Sequence, residues 1–543
     1  MQVETCFGGL CFYPLDPNGP KFFGFSEYLA GLALMVLAWT TADVRYKFRI
    51  QVAPVPLQTI TFYAVAVVGL LTLLTDLWRA NGWLIPKGQF FTLASWQAFL
   101  GGVFLTTFLL WSFFAFIRPP KFSWYNGTRF ANSLLNFVAR GAPAELSIIS
   151  DEISRSIKPI IEYAVGNGSN LRSAKIAAQD ILSIIADKRM CQAIVESSPI
   201  TAWALYNEIR ISRKYQTPAR VFSRNITTQA ISFKESFIYH ESNEYDSGFI
   251  GLHKPISQTM FGDYQMAECL GLYTRVYRPS WDSEQWSAYT RILLITLRDY
   301  IGNHSGEVSL VLINALDNIS DSLNEIHKIN GSESFFDAPS FKNLMVVVKF
   351  IKEVARLLSK ASPESYFLQK YAAHNFLDEF AKFIYNIICR VSYIRGPSRT
   401  CWTIQFSVLW GDMFGFGDFN SAAGKIVRFK VHMLVYREVS RLTQFPNFTG
   451  ARLLGLCLNV LSMDKNGVGL DKEDKGLQQA ILNWTKSNYA RLYRENRELA
   501  EACLIDGIVY EKEENRLTKE YHGSPLRKEK KFLHLSLDSV VED

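Results

Sequence analysis

The stretch WQAFLGGVFLTTFLLWSFFAFI, residues 96–117, decides the fold class of this chain. It belongs to a longer segment, from Gly88 to Ile117, that contains no charged residue. An α-helix rises about 1.5 Å per residue, so about 20 apolar residues cross the hydrocarbon layer of a bilayer. The length and composition of this stretch therefore predict a transmembrane helix over 94–117.

Two other apolar stretches precede it. The one at 57–76 contains ITFYAVAVVGLLTLLT between Pro56 and Asp76 and predicts a second span. The one at 25–42 has the shorter charge-free run YLAGLALMVLAWTTA after Glu27, so it fits either a third span or a helix buried in a protein core. We expect an extracytoplasmic segment at 1–24 and a membrane region at 25–120, with transmembrane helices at 25–42, 57–76 and 94–117.

Basic residues on either side of the predicted spans indicate the orientation of the chain. Six lie on one side and three on the other, namely Arg45, Lys47, Arg49, Arg118, Lys121 and Arg129 against Lys21, Arg79 and Lys87. Because cytoplasmic flanks are enriched in lysine and arginine, we expect a multi-pass protein of the cell membrane with its soluble part in the cytoplasm. Cys6 and Cys11 then lie on the oxidising side, where they form either a disulfide or two free thiols.

The rest of the chain shows the apolar spacing of amphipathic helices, so we expect a membrane-anchored, mainly α-helical fold. Its soluble regions are predicted to be an α-rich cytoplasmic domain at 121–395, a basic helical region at 396–510 and a charged tail at 511–543. A small β insertion is expected at 218–275, because AISFKESFIYHES (230–242) alternates apolar and polar residues. The tail ends in FLHLSLDSVV (532–541), which alternates in the same way and predicts an edge strand.

The sequence contains no complete catalytic or cofactor motif. His240 and Glu241 resemble the start of a zinc-protease motif, but the second histidine of that motif is missing. With Asp246 and His253 the pair fits a metal-binding loop less well than a solvated polar turn. No phosphate-binding loop, nucleophile elbow or kinase motif is present. We therefore predict no catalytic residue, no metal site and no cofactor, and we lean against an enzyme.

One stretch stands out by its charge. Between Asn386 and Arg452, nine basic residues face three acidic ones, and nine minus three gives +6 of the net +7 of the chain. Lys425, Arg428 and His432 recur at helical spacing, which places them on one helix face. The candidate anion-binding residues are Arg395, Arg399, Lys425, Arg428, Lys430, Arg437 and Arg441. Aromatic residues that could stack nucleic-acid bases lie among them, namely Trp402, Trp410, Phe414 and Phe416.

Three interpretations of this basic stretch stay open. Arginines beside a helix N-terminus suit a phosphate-bearing ligand or nucleic acid. Basic surface is also attracted to anionic lipid headgroups, by about 1 kcal/mol per charge. The third interpretation is a solvated helix whose cations pair with acids elsewhere in the fold.

The functional expectation is a membrane-anchored cytoplasmic sensor, scaffold or effector with a basic face that binds anions or nucleic acid. Bacterial stress and phage-defence proteins share this architecture, which is an analogy of layout alone. One alternative is an oligomeric channel with Glu27 and Asp76 near its pore mouths. Another is a membrane-tethered enzyme acting on a phosphorylated or nucleic-acid substrate. The expected partners are the lipid bilayer, further copies of the chain, nucleic acid, nucleotide or anionic headgroups, and an unidentified protein.

Overall fold

The computed structural model of the chain is mainly helical with a few short strands, as the sequence predicts. It forms two compact units, Met1–Gln229 (unit 1) and Ala230–Asp543 (unit 2). The structure describes residues 5–7, 10–17, 19, 21–41, 43–86, 92–166, 172–242, 255–274, 280–303, 308–360, 374–415, 417–444, 446–464, 472–521 and 531–539.

Unit 1 contains a small sheet, the apolar helices and a group of shorter helices. Its elements are, in chain order, β1 (Thr5–Phe7), β2 (Leu10–Pro14), α1 (Phe25–Thr41), α2 (Val44–Gln51), α3 (Leu57–Ala80), β3 (Leu84–Pro86), α4 (Leu93–Ser112), a π-helix (Phe113–Ile117), α5 (Gly127–Arg140), α6 (Pro143–Ser154), α7 (Ile157–Val165), α8 (Arg172–Ile185), α9 (Lys188–Ser197), α10 (Pro199–Ser212) and most of α11 (Arg220–Ser232). β1, β2 and β3 pair in that order, and the register places the backbone of Cys6 opposite that of Cys11. The disulfide itself stays a prediction.

Two helices of unit 1 are long and apolar enough to cross a membrane. They are α3, and α4 together with its π-helical end, Leu93–Ile117. α1 reaches the required length only together with α2, from which it is bent by 106°. It packs on the two longer helices, and Tyr28 donates a hydrogen bond to the Val65 carbonyl at 3.0 Å. The two stronger spans are thus present as helices of sufficient length, and the third span stays a prediction.

The helices after α4 are amphipathic, and their ends follow from local chemistry. α5 buries Phe130, Leu134 and Phe137 and ends at Gly141, whose φ of 68° lies in the left-handed region that glycine tolerates. Pro143 then occupies the first turn of α6, where its missing N–H costs nothing. The short connection folds α6 back, so that it contacts both α5 and α2.

Unit 2 is helical up to a sheet formed by its last strands. Its elements are the end of α11, α12 (Phe237–Ser242), α13 (Pro255–Phe261), α14 (Tyr264–Leu270), α15 (Ser283–Asn303), α16 (Leu310–Asp321), a 3-10 helix (Ile326–Ile329), α17 (Pro339–Ser359), α18 (Phe376–Val391), α19 (Ser398–Cys401), a second π-helix (Trp402–Gly411), α20 (Asp412–Phe414), α21 (Ala422–Ser440), a 3-10 turn (Arg441–Thr443), α22 (Phe448–Val460), α23 (Lys472–Glu495), α24 (Arg497–Ala502), β4 (Ile508–Glu511), β5 (Arg516–Tyr521) and β6 (Lys531–Ser536).

The β insertion predicted at 218–275 is wrong wherever the structure describes that range. Residues 230–242 form the end of α11, an exposed turn and α12, and Phe237, Ile238 and Tyr239 are buried in succession. Their apparent alternation with Ile231 arises because two helix ends flank the turn, and so short a run cannot separate the two periodicities. The sequence offers DSGFIGLHKPI (246–256) as the partner strand of this insertion, and most of that segment lies outside the described residues.

The predicted charged tail contributes two of the three strands of the second sheet. β5 pairs with β4 on one side and β6 on the other, all antiparallel. Leu517 and Leu535 face each other in this register and are both buried. The strand predicted from the alternation at 532–541 is confirmed at Lys531–Ser536.

Candidate functional site

The seven predicted anion-binding residues fall into two groups. Three have side chains held by contacts within unit 2, and four have exposed side chains. Arg428 is only 1% exposed. Arg395 donates to the carbonyls of Glu501 (2.8 Å) and Leu504 (3.0 Å). Lys430 forms an ion pair with Asp378. These three cations are therefore occupied by contacts within unit 2.

The other four candidates lie at the surface of unit 2. The Lys425 ammonium is 3.8 Å from a Glu473 carboxylate oxygen, and Arg441 is 3.5 Å from Glu438 on the same helical turn. Arg399 and Arg437 are exposed and make no ion pair among the residues the structure describes. The exposed group is thus Arg399, Lys425, Arg437 and Arg441.

Arg428 and His432 share one side of α21, as their spacing predicts, but that side faces α23 inside the fold. The Arg428 guanidinium nitrogens lie 3.0 Å (Nε) and 2.7 Å (Nη2) from Asp474 Oδ1. His432 Nε2 lies 3.2 Å from the same oxygen, and Trp410 Nε1 donates to Oδ2 at 3.0 Å. Burial alone would raise the pKa of Asp474, but contact with His432, the charge of Arg428 and the hydrogen bond from Trp410 hold it below its ordinary value.

The contacts of Asp474 with Arg428, His432 and Trp410 stabilise the core of unit 2, and we call them the Arg428–Asp474 cluster. Asp474 is 3% exposed, so an anionic ligand reaches Arg428 only if the core opens. Of the aromatic residues predicted to stack bases, Trp410 and Phe414 are buried, Trp402 is 36% exposed and Phe416 lies outside the described residues. Among the described residues of this set, Arg399 and Trp402 stay exposed, whereas Trp410 and Phe414 lie in the core and are not available to stack bases.

Glu241, one of the residues considered for a metal-binding loop, instead holds the start of α13. Its carboxylate accepts hydrogen bonds from the backbone N–H groups of Ile256 (3.2 Å) and Ser257 (2.9 Å), in the first turn of α13. Asp246 and His253 lie outside the described residues. Within the described ranges, no group of three or more potential metal ligands is found.

The acids proposed for pore mouths both stabilise the start of α1. Asp76 accepts a hydrogen bond from the Phe25 N–H at 2.9 Å, and Glu27 accepts one from the Gly24 N–H at 2.9 Å. Carboxylates at a helix N-terminus satisfy free N–H groups and suit the positive end of the helix dipole. Capping accounts for their position without an ion pathway.

A second buried ion pair connects the apolar helices to the shorter helices of unit 1. Arg49, on α2, is 6% exposed, and Glu152, on α6, is 5% exposed. Arg49 Nε donates to Glu152 Oε2 at 2.8 Å, and Nη2 donates to Oε1 at 2.7 Å. Two parallel hydrogen bonds of this kind are the stronger form of the arginine–carboxylate contact.

The third arm of Arg49 reaches the end of α4. Its Nη1 donates to the carbonyl of Ala115 at 2.8 Å, inside the π-helix Phe113–Ile117. The residues four and five positions after Ala115 are Pro119 and Pro120, which have no N–H to donate. Arg49 therefore supplies the hydrogen bond that the proline pair removes, and one side chain joins α2, α4 and α6. We call Arg49, Ala115 and Glu152 the coupling junction.

Other contacts fix α2 beside the coupling junction. Phe48 packs edge-on against Phe130 and Phe137 of α5, with ring centroids 5.4 and 5.9 Å away. Arg45 lies 3.3 Å from Asp151. Asn126 donates to the carbonyl of Val52, immediately after α2, at 2.7 Å. α2 is thus held by the membrane-side helices and by the helices that follow them.

Sequence reasoning missed the coupling junction, although two signals for it exist. The sequence presents Arg45 and Arg49 only as a sign of orientation, because their partners Asp151 and Glu152 lie about a hundred residues away. One signal is the proline pair, which leaves carbonyls at the end of α4 without donors. The other is Glu152, an acid within the buried side of an otherwise apolar helix pattern.

Comparison of the chain with protein-family models, with curated proteins and with solved structures finds no match.

Proposed function

We propose that this chain is a multi-pass, membrane-anchored sensor, scaffold or effector whose helical part lies in the cytoplasm. In this proposal α2 transmits changes between the membrane helices and the helices that follow them. The coupling junction is the observation that carries the proposal, because Arg49 contacts α4 and α6 at once.

The chemistry of the junction supports transmission over simple attachment. Apolar contacts are sufficient for a passive anchor, and removing two charges from water costs several kcal/mol per ion. A bidentate pair with a third hydrogen bond fixes one geometry, whereas apolar surfaces can slide. Movement of α4 relative to the bilayer would therefore reach α6 through Arg49.

The test compares two neighbouring acids of α6. Glu152→Gln disrupts the buried junction, whereas the control Asp151→Asn removes an acid whose side chain is 42% exposed and whose contact with Arg45 is at the surface. The full chain is placed in bilayers of two thicknesses, and hydrogen exchange of α2 and α6 is measured in each. We expect the exchange of α6 to depend on thickness in the wild type and in D151N, and to become independent of it in E152Q.

An α6 whose exchange is the same in both bilayers of the wild-type protein would contradict transmission. So would an unchanged thickness response in E152Q. A fusion of green fluorescent protein after Asp543 checks the orientation: fluorescence is expected for a cytoplasmic end, and its loss together with activity of a periplasmic phosphatase fusion would contradict it.

A second candidate function, binding to anionic lipid, is favoured by the exposed side of α21. Lys425, Phe429, Met433 and Arg437 follow each other at four-residue spacing, and Phe429 and Met433 are 50% and 52% exposed. Apolar side chains between cations suit a headgroup layer better than a nucleic-acid backbone. Hydrogen exchange of α21 should then slow when phosphatidylglycerol replaces phosphatidylcholine, less so in Arg437→Gln, and should not respond to single-stranded nucleic acid.

A further inference from the structure

Unit 1 contains a cavity of about 550 Å³ beside α2. Its walls come from the end of α1, from α2, from the start of α3 and from Trp111 of α4. Phe62 and Tyr63 on the α3 side are each 63% exposed, so the cavity opens sideways, away from the helix bundle. Its volume lies within the range of about 300–1,000 Å³ that is usual for small-molecule sites.

The proposed membrane span of α3 would place the cavity at the depth where a bilayer changes from headgroups to acyl chains. α3 has 24 residues, and about 1.5 Å per residue gives a length greater than the roughly 30 Å of hydrocarbon. The cavity residues Gln58 to Tyr63 occupy the first two turns of α3. A span that starts at this end therefore places the cavity at the membrane interface.

The walls of the cavity are amphiphilic. Lys47, Gln51 and Gln58 supply polar groups, whereas Trp39 and Phe62 supply apolar surface. Lys47 is exposed and makes no ion pair among the residues that the structure describes. The indole N–H of Trp39 is buried without a hydrogen-bond partner, and buried donors normally have one. The cavity thus offers a cation beside aromatic walls.

We propose that this cavity binds one anionic glycerophospholipid from the leaflet on the side of α2. Its phosphate lies near Lys47 and one acyl chain lies against Phe62 and Tyr63. A neutral detergent-like molecule would leave Lys47 unpaired, and a soluble anion would leave the aromatic walls in water. An anionic lipid satisfies both, because it carries charge and hydrocarbon in one molecule.

The consequence of lipid binding rests on the proposed coupling function. Lys47 and Gln51 line the cavity on the same short helix that carries Arg49. A lipid that contacts α2 therefore favours the arrangement of the coupling junction in which the cavity is open, and lipid composition becomes the signal that α2 transmits.

The experiment uses purified, delipidated full-length protein and phospholipids brominated on their acyl chains, which quench nearby tryptophans. Brominated phosphatidylglycerol is compared with brominated phosphatidylcholine. We expect saturable quenching with a preference for phosphatidylglycerol, and a smaller quenched fraction in Trp39→Phe. Lys47→Gln should raise the phosphatidylglycerol concentration at half-maximal quenching about fivefold, as expected for the loss of one cation that contacts an anionic lipid.

Lys121→Gln is the matched control, because Lys121 is an exposed lysine shortly after α4 that does not line the cavity. It should leave the half-saturation unchanged. Equal weakening by K47Q and K121Q would assign the attraction to general surface charge and overturn the proposal. Equal quenching by both lipids in the wild type would overturn it too. So would quenching that falls with rising protein concentration at a constant lipid-to-protein ratio, which indicates a second copy in the cavity.

Two further comparisons keep the outcome decisive. If K47Q does not fold, Lys47→Arg keeps the charge and should keep the preference for phosphatidylglycerol. Glu152→Gln leaves the cavity walls intact, so its lipid preference should match the wild type whether or not transmission fails. Failure of lipid binding and failure of the coupling function are therefore separate results.

Discussion

Replacing Arg428 with methionine removes the cation that neutralises Asp474 in the core of unit 2. Both residues are buried, at 1% and 3% exposure. Loss of one partner of a buried pair leaves an uncompensated charge and costs about 3–5 kcal/mol. His432 and Trp410 still contact the carboxylate, so we expect a loss near the lower end, about 3 kcal/mol, against a total stability of about 5–15 kcal/mol for a domain.

Lys425→Met, on the same helix, is the control for Arg428→Met. The Lys425 side chain is 55% exposed and its contact with Glu473 is 3.8 Å long, so its loss should cost about 0–1 kcal/mol. The double variant Arg428→Met/Asp474→Leu removes both charges and should recover much of the stability, because apolar replacement of a buried pair is often neutral.

The assay is urea unfolding of the purified full chain, with hydrogen exchange of α21 and α23 to confirm that unit 2 is affected. In the wild type the pKa of Asp474 is below its ordinary value, so its ionisation stabilises the fold above that value and this contribution is lost as the pH falls. The deficit of R428M should therefore shrink as the pH falls below 3.8, the ordinary pKa of an aspartate. If R428M loses no more unfolding free energy than K425M at every pH, the Arg428–Asp474 pair does not stabilise unit 2. Arg428 then becomes a candidate anion ligand again.

Other predictions test single contacts in the two units. Burial lowers the pKa of Lys519 to about 7 from 10.5. The folded protein then lacks a proton that the unfolded chain holds between those values, so the stability of the wild type relative to Lys519→Met should rise by up to about 4 kcal/mol from pH 7 to 10.5. Gly69→Val should loosen α1 from α3, measured as faster hydrogen exchange of α1, because a Cβ at Gly69 would lie 2.5 Å from the Tyr28 hydroxyl; unchanged exchange would contradict this packing. Mass spectrometry of the non-reduced protein should detect a Cys6–Cys11 linkage, and two alkylatable thiols after secretion of the N-terminal side would contradict it.

The sequence predicts well those features that depend only on residues close together in the chain. The uncharged segment ending at Ile117 predicts α4, and the run after Pro56 predicts α3, because composition and length suffice for both. Asp282 stands just before the apolar pattern of α15, where an aspartate predicts an N-cap, and its carboxylate accepts hydrogen bonds from Glu284 and Gln285 N–H at 3.0 Å. Capping acts over three residues, so a local pattern contains all of its information.

The candidate site was predicted poorly because its contacts are long-range. Glu152 follows Arg49 by 103 residues and Asp474 follows Arg428 by 46, and no periodicity links positions so far apart. Helical spacing did place Arg428 and His432 on one side of α21. It could not tell whether that side met water or an acid on another helix, since a charged position is usually exposed.

Arg49 and Arg395 donate to carbonyls at the ends of helices, so part of the positive charge of the chain is already compensated by backbone. Arg49 donates to Ala115 at the end of α4, and Arg395 donates to Glu501 and Leu504 at the end of α24. The carbonyls at a helix C-terminus lack partners and carry about half a negative charge together. A cation placed there is compensated by backbone, which a count of lysine, arginine, aspartate and glutamate does not register. The formal charge of +6 between residues 386 and 452 therefore overstates the positive charge that is available to a ligand. Arg399 and Arg437 are the positions at which anion binding is best tested.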